Sequence, residues 1–465
     1  MTMSLDRRLR DLRFTPFWLD SPELPAAADP LHGDVDTDLL VVGGGFTGLW
    51  AALQAIEANP QRSVRLIEAG RIACGASGRP GAIVSTSVMH GLSNAARVFP
   101  EDLDALERLG RENLAGLHAT LDRHGIDCDD EWGGELTLGV SLEALAGLEE
   151  EYRLHQRYGH DADLLDWQAA RAEIDSPLIH GALWNRSESG TLNPARLAWG
   201  LARAARSCGV RLHEGTPLRG LRLARDGLLD AQTPAGRVRA QRVLLATNAF
   251  AAGHRRIRRR VTTIRDRILV TEPLTSAQRD RIGWRHRQGA YDTRTQLNYM
   301  RLTADDRILF GGKLDYAFGN AVDAAVDRDP GTYLSLAAAF QRTFPQLDDV
   351  PFSHAWSGPI AMTTRMAVHF QRYFDGRAIW AGGYSGFGVS ASRFGARVGL
   401  ALLDGDDLPE TRMRFATTLP AWIPPEPLRW LGARITMHAL DTADARGGWR
   451  RPWLSMIGRL GFPLS

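Results

Sequence analysis

Residues 43–48 read Gly-Gly-Gly-Phe-Thr-Gly and follow a short apolar, β-branched run at 39–42. Glycines at this spacing suit one task, the close approach of backbone amides to a diphosphate. Gly43 allows a tight turn, Gly45 has no Cβ to hold the amides away, and Gly48 lets the next helix lie close on the strand. That helix, with Phe46 and Thr47 in its first turn, points its free N–H groups and positive dipole end at the anion. A second strand at 63–68 ends in Glu68 and Ala69, about 20 residues after the last glycine, where a carboxylate accepts both hydroxyls of an adenosine ribose. Strand, glycine turn, helix, second strand and acid therefore stand in the order of a dinucleotide site.

Other stretches share the small-residue character of a backbone threading past a large planar ligand. Residues 71–82 hold three glycines and a proline, too many for a stable helix, and include Ala76, Ser77, Gly78, Arg79 and Gly81. The run 242–249 is an apolar strand ending at Thr247, and Leu218 opens a short strand before it. The loop 381–389 carries Gly383, Gly386, Phe387, Gly388 and Val389. Gly386 and Gly388 let amides approach a flat ring, and a helix beginning near Ser390 offers it a positive dipole end.

Positioning these groups takes an α/β fold. The first strand, its helix, the strand at 242–249 and the returning strand at 378–380 predict a Rossmann-type dinucleotide domain made of separate pieces: 36–100, 186–260 and 350–404. Between them, helical patterns at 101–124, 142–157 and 167–174 and alternating strands at 263–271, 290–301 and 307–313 predict an inserted α+β substrate domain, 101–185 plus 261–349. Its mixed or antiparallel sheet covers the ligand with one face. Residues 1–35 read as an irregular arm, and 405–465 as a helical tail rich in tryptophan, with a helix near 426–440, that packs on the body or on a second subunit.

The alternating strands supply candidates for substrate chemistry: Arg265, Arg267, Arg294, Tyr299, Arg301 and Lys313. Tyr299 and Arg301 lie two apart and share a face of their strand. Tyr384 is the aromatic candidate beside the glycine loop. All but one of the 56 lysine and arginine residues are arginine, which singles out Lys313.

Composition narrows the class. With 465 residues, 44% hydrophobic and 24% charged, the chain describes an ordinary globular protein of two packed domains. A net charge of +2 implies no nucleic-acid partner. The basic run 254–260 reads as a solvated turn or a docking patch for an acidic partner. Three scattered cysteines, Cys74, Cys128 and Cys208, show neither paired nor metal-ligand spacing, which predicts no metal and fits a reducing cytoplasm. No apolar run is long enough to span a bilayer. The oligomeric state is open.

Three separated pieces, VVGGGFTG…LIEA, LLATNAF and GGYSGFGVSASRFGARV, together resemble the D-amino-acid-oxidase-like (DAO) family of FAD-dependent amine oxidoreductases, over about residues 36–405. The resemblance implies that Gly43, Gly45, Gly48 and Glu68 hold the ADP half of non-covalent FAD. It implies that Ala76-Ser77-Gly78-Arg79 lies along the diphosphate and flavin, Thr247 near the dinucleotide, and 383–389 around the ring. The family's Asn-Gly-Gly is Pro80-Gly81-Ala82 here, Phe387 replaces a common histidine, and Ser390 stands where sarcosine oxidases hold the substrate carboxylate with lysine. No cysteine lies near the flavin loop. The implied reaction is oxidation of a CH–NH bond of an amine or amino acid to an imine, then a carbonyl. Electrons pass to oxygen, with Lys313, Tyr384, Tyr299 and Arg301 as catalytic candidates. The rival readings are a dehydrogenase using a quinone or protein acceptor and a flavin-binding subunit of a larger complex.

The glycine spacing predicts that Gly45→Val folds but purifies colourless. Full yellow absorbance of that variant contradicts the assignment.

Overall fold

The strand Val35–Val42 lies inside a sheet because it is apolar on both faces; Leu39, Leu40 and Val41 are fully buried. It pairs in parallel with Val64–Ile67 on one side and Gly236–Leu245 on the other. Ala378–Gly382 joins in parallel beyond Gly236–Leu245, and Arg211–His213 beyond Val64–Ile67. His369–Tyr373 runs antiparallel at one edge. The computed structural model, which describes residues 4–322 and 325–460, thus draws one sheet from three separated stretches of chain. The helices Phe46–Ala58 and Gly388–Asp404 lie together against it and share its main core.

A second eight-stranded sheet runs in the spatial order Phe352–Met362, Thr262–Thr271, Ile308–Tyr316, Tyr299–Leu302, Gly289–Asp292, Glu135–Gly139, Gly181–Asn185, Ala162–Leu165. Every pairing in it is antiparallel except Gly289–Asp292 against Glu135–Gly139. The helix Leu334–Thr343 covers its outer face around Phe310 and Phe340. The fold is α/β, a Rossmann-type half beside an α+β half.

Four details differ from the sequence-based expectation. Residues 290–301 form a hairpin, not one strand, because the Asp292 carboxylate accepts from the amides of Arg294 and Asn298 and closes a tight loop. Gly236–Leu245 is one long strand that pairs in parallel with Val35–Val42 from Val238 onward and is also, over Gly236–Ala240, an arm of a hairpin with Leu229–Thr233. Phe352–Met362 belongs to the second sheet, not to the dinucleotide half, since it pairs along its whole length with Thr262–Thr271. The helix Leu103–His124 buries Leu106, Leu109, Leu117 and Leu121 in the core of the dinucleotide half, although it precedes the inserted strands.

The tail docks on the body. Its helix, Leu428–Arg446, is tied to the second sheet by an ion pair between Lys313 and Asp441 and by the Thr295 amide, which donates to Asp444 at 3.0 Å. The basic run serves this docking through its backbone: the Arg258 carbonyl accepts from Arg429, and the Arg259 carbonyl from the Ile423 amide. Among the described residues no helix is long and apolar enough to cross a membrane.

Gly48 shows how tightly the first crossover is built. A Cβ there would lie 1.9 Å from the carbonyl oxygen of Gly43. Overpacking of this kind predicts that Gly48→Ala destabilises the cofactor-free protein by about 3 kcal/mol. An unchanged denaturation midpoint in guanidinium contradicts it.

Candidate active site

One cavity of about 1920 Å³ runs from the parallel sheet to the second sheet. At its first end lie Gly43, Gly44, Gly45 and Glu68. Gly43 has φ +114°, and a Cβ on it would stand 2.7 Å from the Ala246 carbonyl oxygen. The Glu68 carboxylate is held by two amides: Gly44 donates at 2.6 Å and Gly70 at 2.7 Å. The helix Phe46–Ala58 has no side-chain cap from its own Gly45; instead Ser77 Oγ accepts the Phe46 amide at 2.9 Å. A Cβ on Gly45 would crowd that hydroxyl at 3.0 Å. Helix N–H groups therefore face a space that no side chain of the helix fills, which is the donor set an anion requires.

The small-residue run follows the cavity wall. Ala76–Gly78 is a single 3-10 turn, and Gly78 is so close to the Ala73 carbonyl that a Cβ would lie 2.4 Å away. Ala69, Ala76, Gly81, Leu218 and Thr247 also line the space. Arg79 borders it with its guanidinium engaged by the carbonyls of Cys74 and Ser357 at 3.1 and 2.9 Å. Asn248, which sequence reasoning missed, accepts the Gly383 amide at 3.0 Å and so ties the middle strand to the glycine loop.

That loop is held open by its backbone. Gly383 and Gly386 take φ +87° and +104°, and a Cβ on Gly383 would meet Thr363 at 2.5 Å. Ser385 Oγ accepts the Thr363 amide at 3.1 Å. The helix Gly388–Asp404 then begins without a side-chain cap, presenting a second set of amides at the cavity wall formed by Phe387, Gly388 and Val389. The Phe387 ring rests on His90 with centroids 4.2 Å apart. Burial pushes His90 down to about 4, so it is neutral at physiological pH. A histidine thus stands beside the position where the resemblance had placed one, delivered by a different segment.

The expected catalytic residues separate. Tyr384 borders the cavity, but its hydroxyl accepts from Thr47 at 2.9 Å and its ring packs where a Cβ on Gly395 would lie 2.4 Å from Oη. It is a joint between the two helices. Tyr299 sits on the cavity face between Gly81 and Gly311, either of which would collide with it if it bore a Cβ. Its hydroxyl donates to Asp266 at 2.6 Å. Burial and the adjacent carboxylate hold that phenol well above its ordinary value, so it stays protonated and donates.

Arg301 is a correction. It shares a strand with Tyr299, yet it is fully buried outside the cavity wall, donating to the Leu192 carbonyl at 2.6 Å and stacking over Trp18. Lys313 is another. Gly312 and Leu314 line the cavity, and strand alternation turns Lys313 the other way, onto Asp441 of the tail. Of the other arginine candidates, Arg265 pairs with Asp327, Arg267 with Asp315 at 2.7 Å, and Arg294, at the cavity rim, with Asp292 at 3.1 Å.

Asp266 was not anticipated, because a carboxylate between two arginines in an alternating strand reads as a surface ion pair. Here it is buried, and desolvation outweighs the Tyr299 hydroxyl and the amides of Arg267 and Gly312, raising it to about 6. Among the described residues no side chain reaches its Oδ1 at hydrogen-bond geometry. Among the described residues no cluster of histidine, cysteine and carboxylate side chains could hold a metal.

The glycine cradle, the anchored Glu68, two helix N-termini whose own N-cap residues supply no side-chain cap, and a cavity larger than most small-ligand pockets fit FAD with space beyond it. Comparison with known proteins agrees. The chain is 32% identical over 389 residues to gamma-glutamylputrescine oxidoreductase of Escherichia coli, covering 82% of this chain and 87% of that one. It is 29% identical over 404 residues to the probable oxidoreductase OrdL of Haemophilus influenzae, covering 84% and 88%. Glycine oxidase from Geobacillus kaustophilus shares the fold, with a TM-score of 0.67 at 19% identity over 82% of this chain and 98% of that one. Residues 38–399 match the DAO family, described as FAD dependent oxidoreductase, and the chain belongs to that family.

Proposed function

We propose that the protein oxidises a CH–NH bond of a primary or secondary amine, with oxygen as the electron acceptor. In this reading Gly43, Gly45, Phe46, Thr47, Gly48, Glu68 and Ala69 hold the ADP half of FAD. Ala76, Ser77, Gly78, Arg79 and Gly81 run along its length with Leu218 and Thr247, and Gly383, Gly386, Phe387, Gly388 and Val389 meet its ring. FAD, when bound, supplies the hydride acceptor.

The observation that carries the proposal is Asp266. Its buried carboxylate has one oxygen fixed by Tyr299 and the other without a side-chain partner among the described residues, beside a cavity whose wall also includes Ile268, Ile360 and Met362. Amine oxidation starts from the neutral amine, and the substrate arrives as an ammonium. Asp266 Oδ1 accepts that proton, Tyr299 orients the carboxylate, and the apolar wall keeps the amine uncharged once it is deprotonated. The similarity to gamma-glutamylputrescine oxidoreductase supports an amine substrate. An amino acid clamped by arginine finds less support, since Arg79 and Arg294 are already engaged and Arg97 lies at the exposed rim. A cytoplasmic location belongs to the same reading, in keeping with three free cysteines.

Two outcomes are expected. Asp266 must be ionised to take the proton, so anaerobic flavin reduction by substrate rises with pH through about 6. Asp266→Asn lowers the rate about 100-fold and abolishes that limb; an unchanged pH profile in stopped-flow traces contradicts the role. Lys313→Ala leaves reoxidation by oxygen unaltered and costs at most about 1 kcal/mol of stability, the worth of a partly exposed ion pair. A slowed reoxidation trace would return Lys313 to the site.

A further inference from the structure

Beyond Tyr299 the cavity continues across the second sheet. Tyr291 pairs in register with Tyr299, and Thr137 with Tyr291, so the floor runs over two strand spacings, about 10 Å, to the strand Glu135–Gly139. At that end Glu135, Glu151 and Asn185 line the space, and Asn185 is the register partner of Glu135.

Among the described residues the acceptor oxygens of these groups have no partners. Neither carboxylate makes a hydrogen bond or ion pair to any described residue. Asn185 is only 7% exposed; its amide nitrogen donates to Ser189 at 3.4 Å, and its Oδ1 is unpaired. The Tyr291 hydroxyl, also on the cavity wall, has no partner among the described residues either. The neighbouring cations are committed or absent. His160 lies between Glu107, at 2.9 Å, and Glu188, while burial pushes His155 down to about 4 and leaves it neutral. Arg294 is paired with Asp292.

Two carboxyl groups and an amide oxygen with no cation among them form an unsatisfied, acceptor-rich end. A carboxylate or phosphate ligand would be repelled there. An ammonium brings three donors, no acceptor and the missing charge. Burial, with Glu151 close by, raises Glu135 to about 8, a cost that a bound cation reverses.

We propose that Glu135, Glu151 and Asn185 form a subsite for the distal ammonium of a long diamine or polyamine whose reacting amine lies at Asp266. The substrate class rests on the amine-oxidising reading above. The aromatic floor between the two acceptor ends suits a methylene chain.

The test uses the yellow holoprotein, with calorimetric binding of hexamethylenediamine and hexylamine measured beside anaerobic bleaching by each. The subsite predicts that the diamine binds roughly 10- to 100-fold more tightly, as charged hydrogen bonds allow. Glu135→Gln and Glu151→Gln remove that preference while leaving hexylamine unchanged, and Glu135→Asp, which keeps the charge, retains most of it. Equal affinity of the native protein for both amines overturns the subsite, as does a variant that weakens both alike. If the diamine preference is present and lost in the variants while no amine bleaches the flavin, the subsite stands and the oxidation reading falls. If amines bleach the flavin without preference, the reverse holds.

Discussion

The molecule depends on one close contact of backbone with backbone. Gly43 leaves the central strand with φ +114°, its Cα facing the Ala246 carbonyl, and Gly48 rests on the Gly43 carbonyl one turn into the helix. No side chain fits at either point. A Cβ on Gly43 would meet the Ala246 carbonyl just beyond the last register pair, Val42 with Leu245, of the parallel strands Val35–Val42 and Gly236–Leu245. The helix N-terminus is thereby aimed into the cavity, Ser77 is drawn over it as a cap, and Glu68 is brought beneath Gly44.

From that contact the cavity acquires a polarity. Its walls on the parallel-sheet side are backbone donors, the first turns of two helices and the loop 383–389, which suit the anionic parts of a dinucleotide. Its walls on the second sheet and on the helix Leu142–Arg157 beside it carry acceptors: Asp266, Glu135 and Asn185 on strands and Glu151 on the helix. A cofactor with negative charge and a substrate with positive charge are thus sorted to opposite ends by the protein's own groups. Tyr299, wedged between Gly81 and Gly311, stands where the two regimes meet.

Local signals made the first regime legible in the sequence. A glycine required by close packing or by a positive φ leaves a spacing, and Gly43, Gly45, Gly48, Gly383 and Gly386 were found by theirs. The second regime lies in residue types that alternate along strands, where spacing says which residues share a face and not which face is inside. Arg301 was grouped with Tyr299 on that basis, yet its guanidinium turns back to the Leu192 carbonyl. Lys313 was singled out by rarity, which reflects composition and carries no geometry. Asp266 and Glu135 escaped because their importance is a lack of partners, and a lack of partners exists only after folding. The hairpin at 289–302 and the placement of Phe352–Met362 in the second sheet escaped for a related reason, since strand pairing is set by distant chain.

The central claim is that an FAD molecule lies along this cavity, with its diphosphate at Gly43–Gly45–Ser77. Absorbance of the purified protein, followed by heat release and quantitation of its chromophore, addresses it directly. The account predicts a flavin spectrum and FAD released in equimolar amount with the chain. A colourless protein that takes up no FAD on incubation would contradict it.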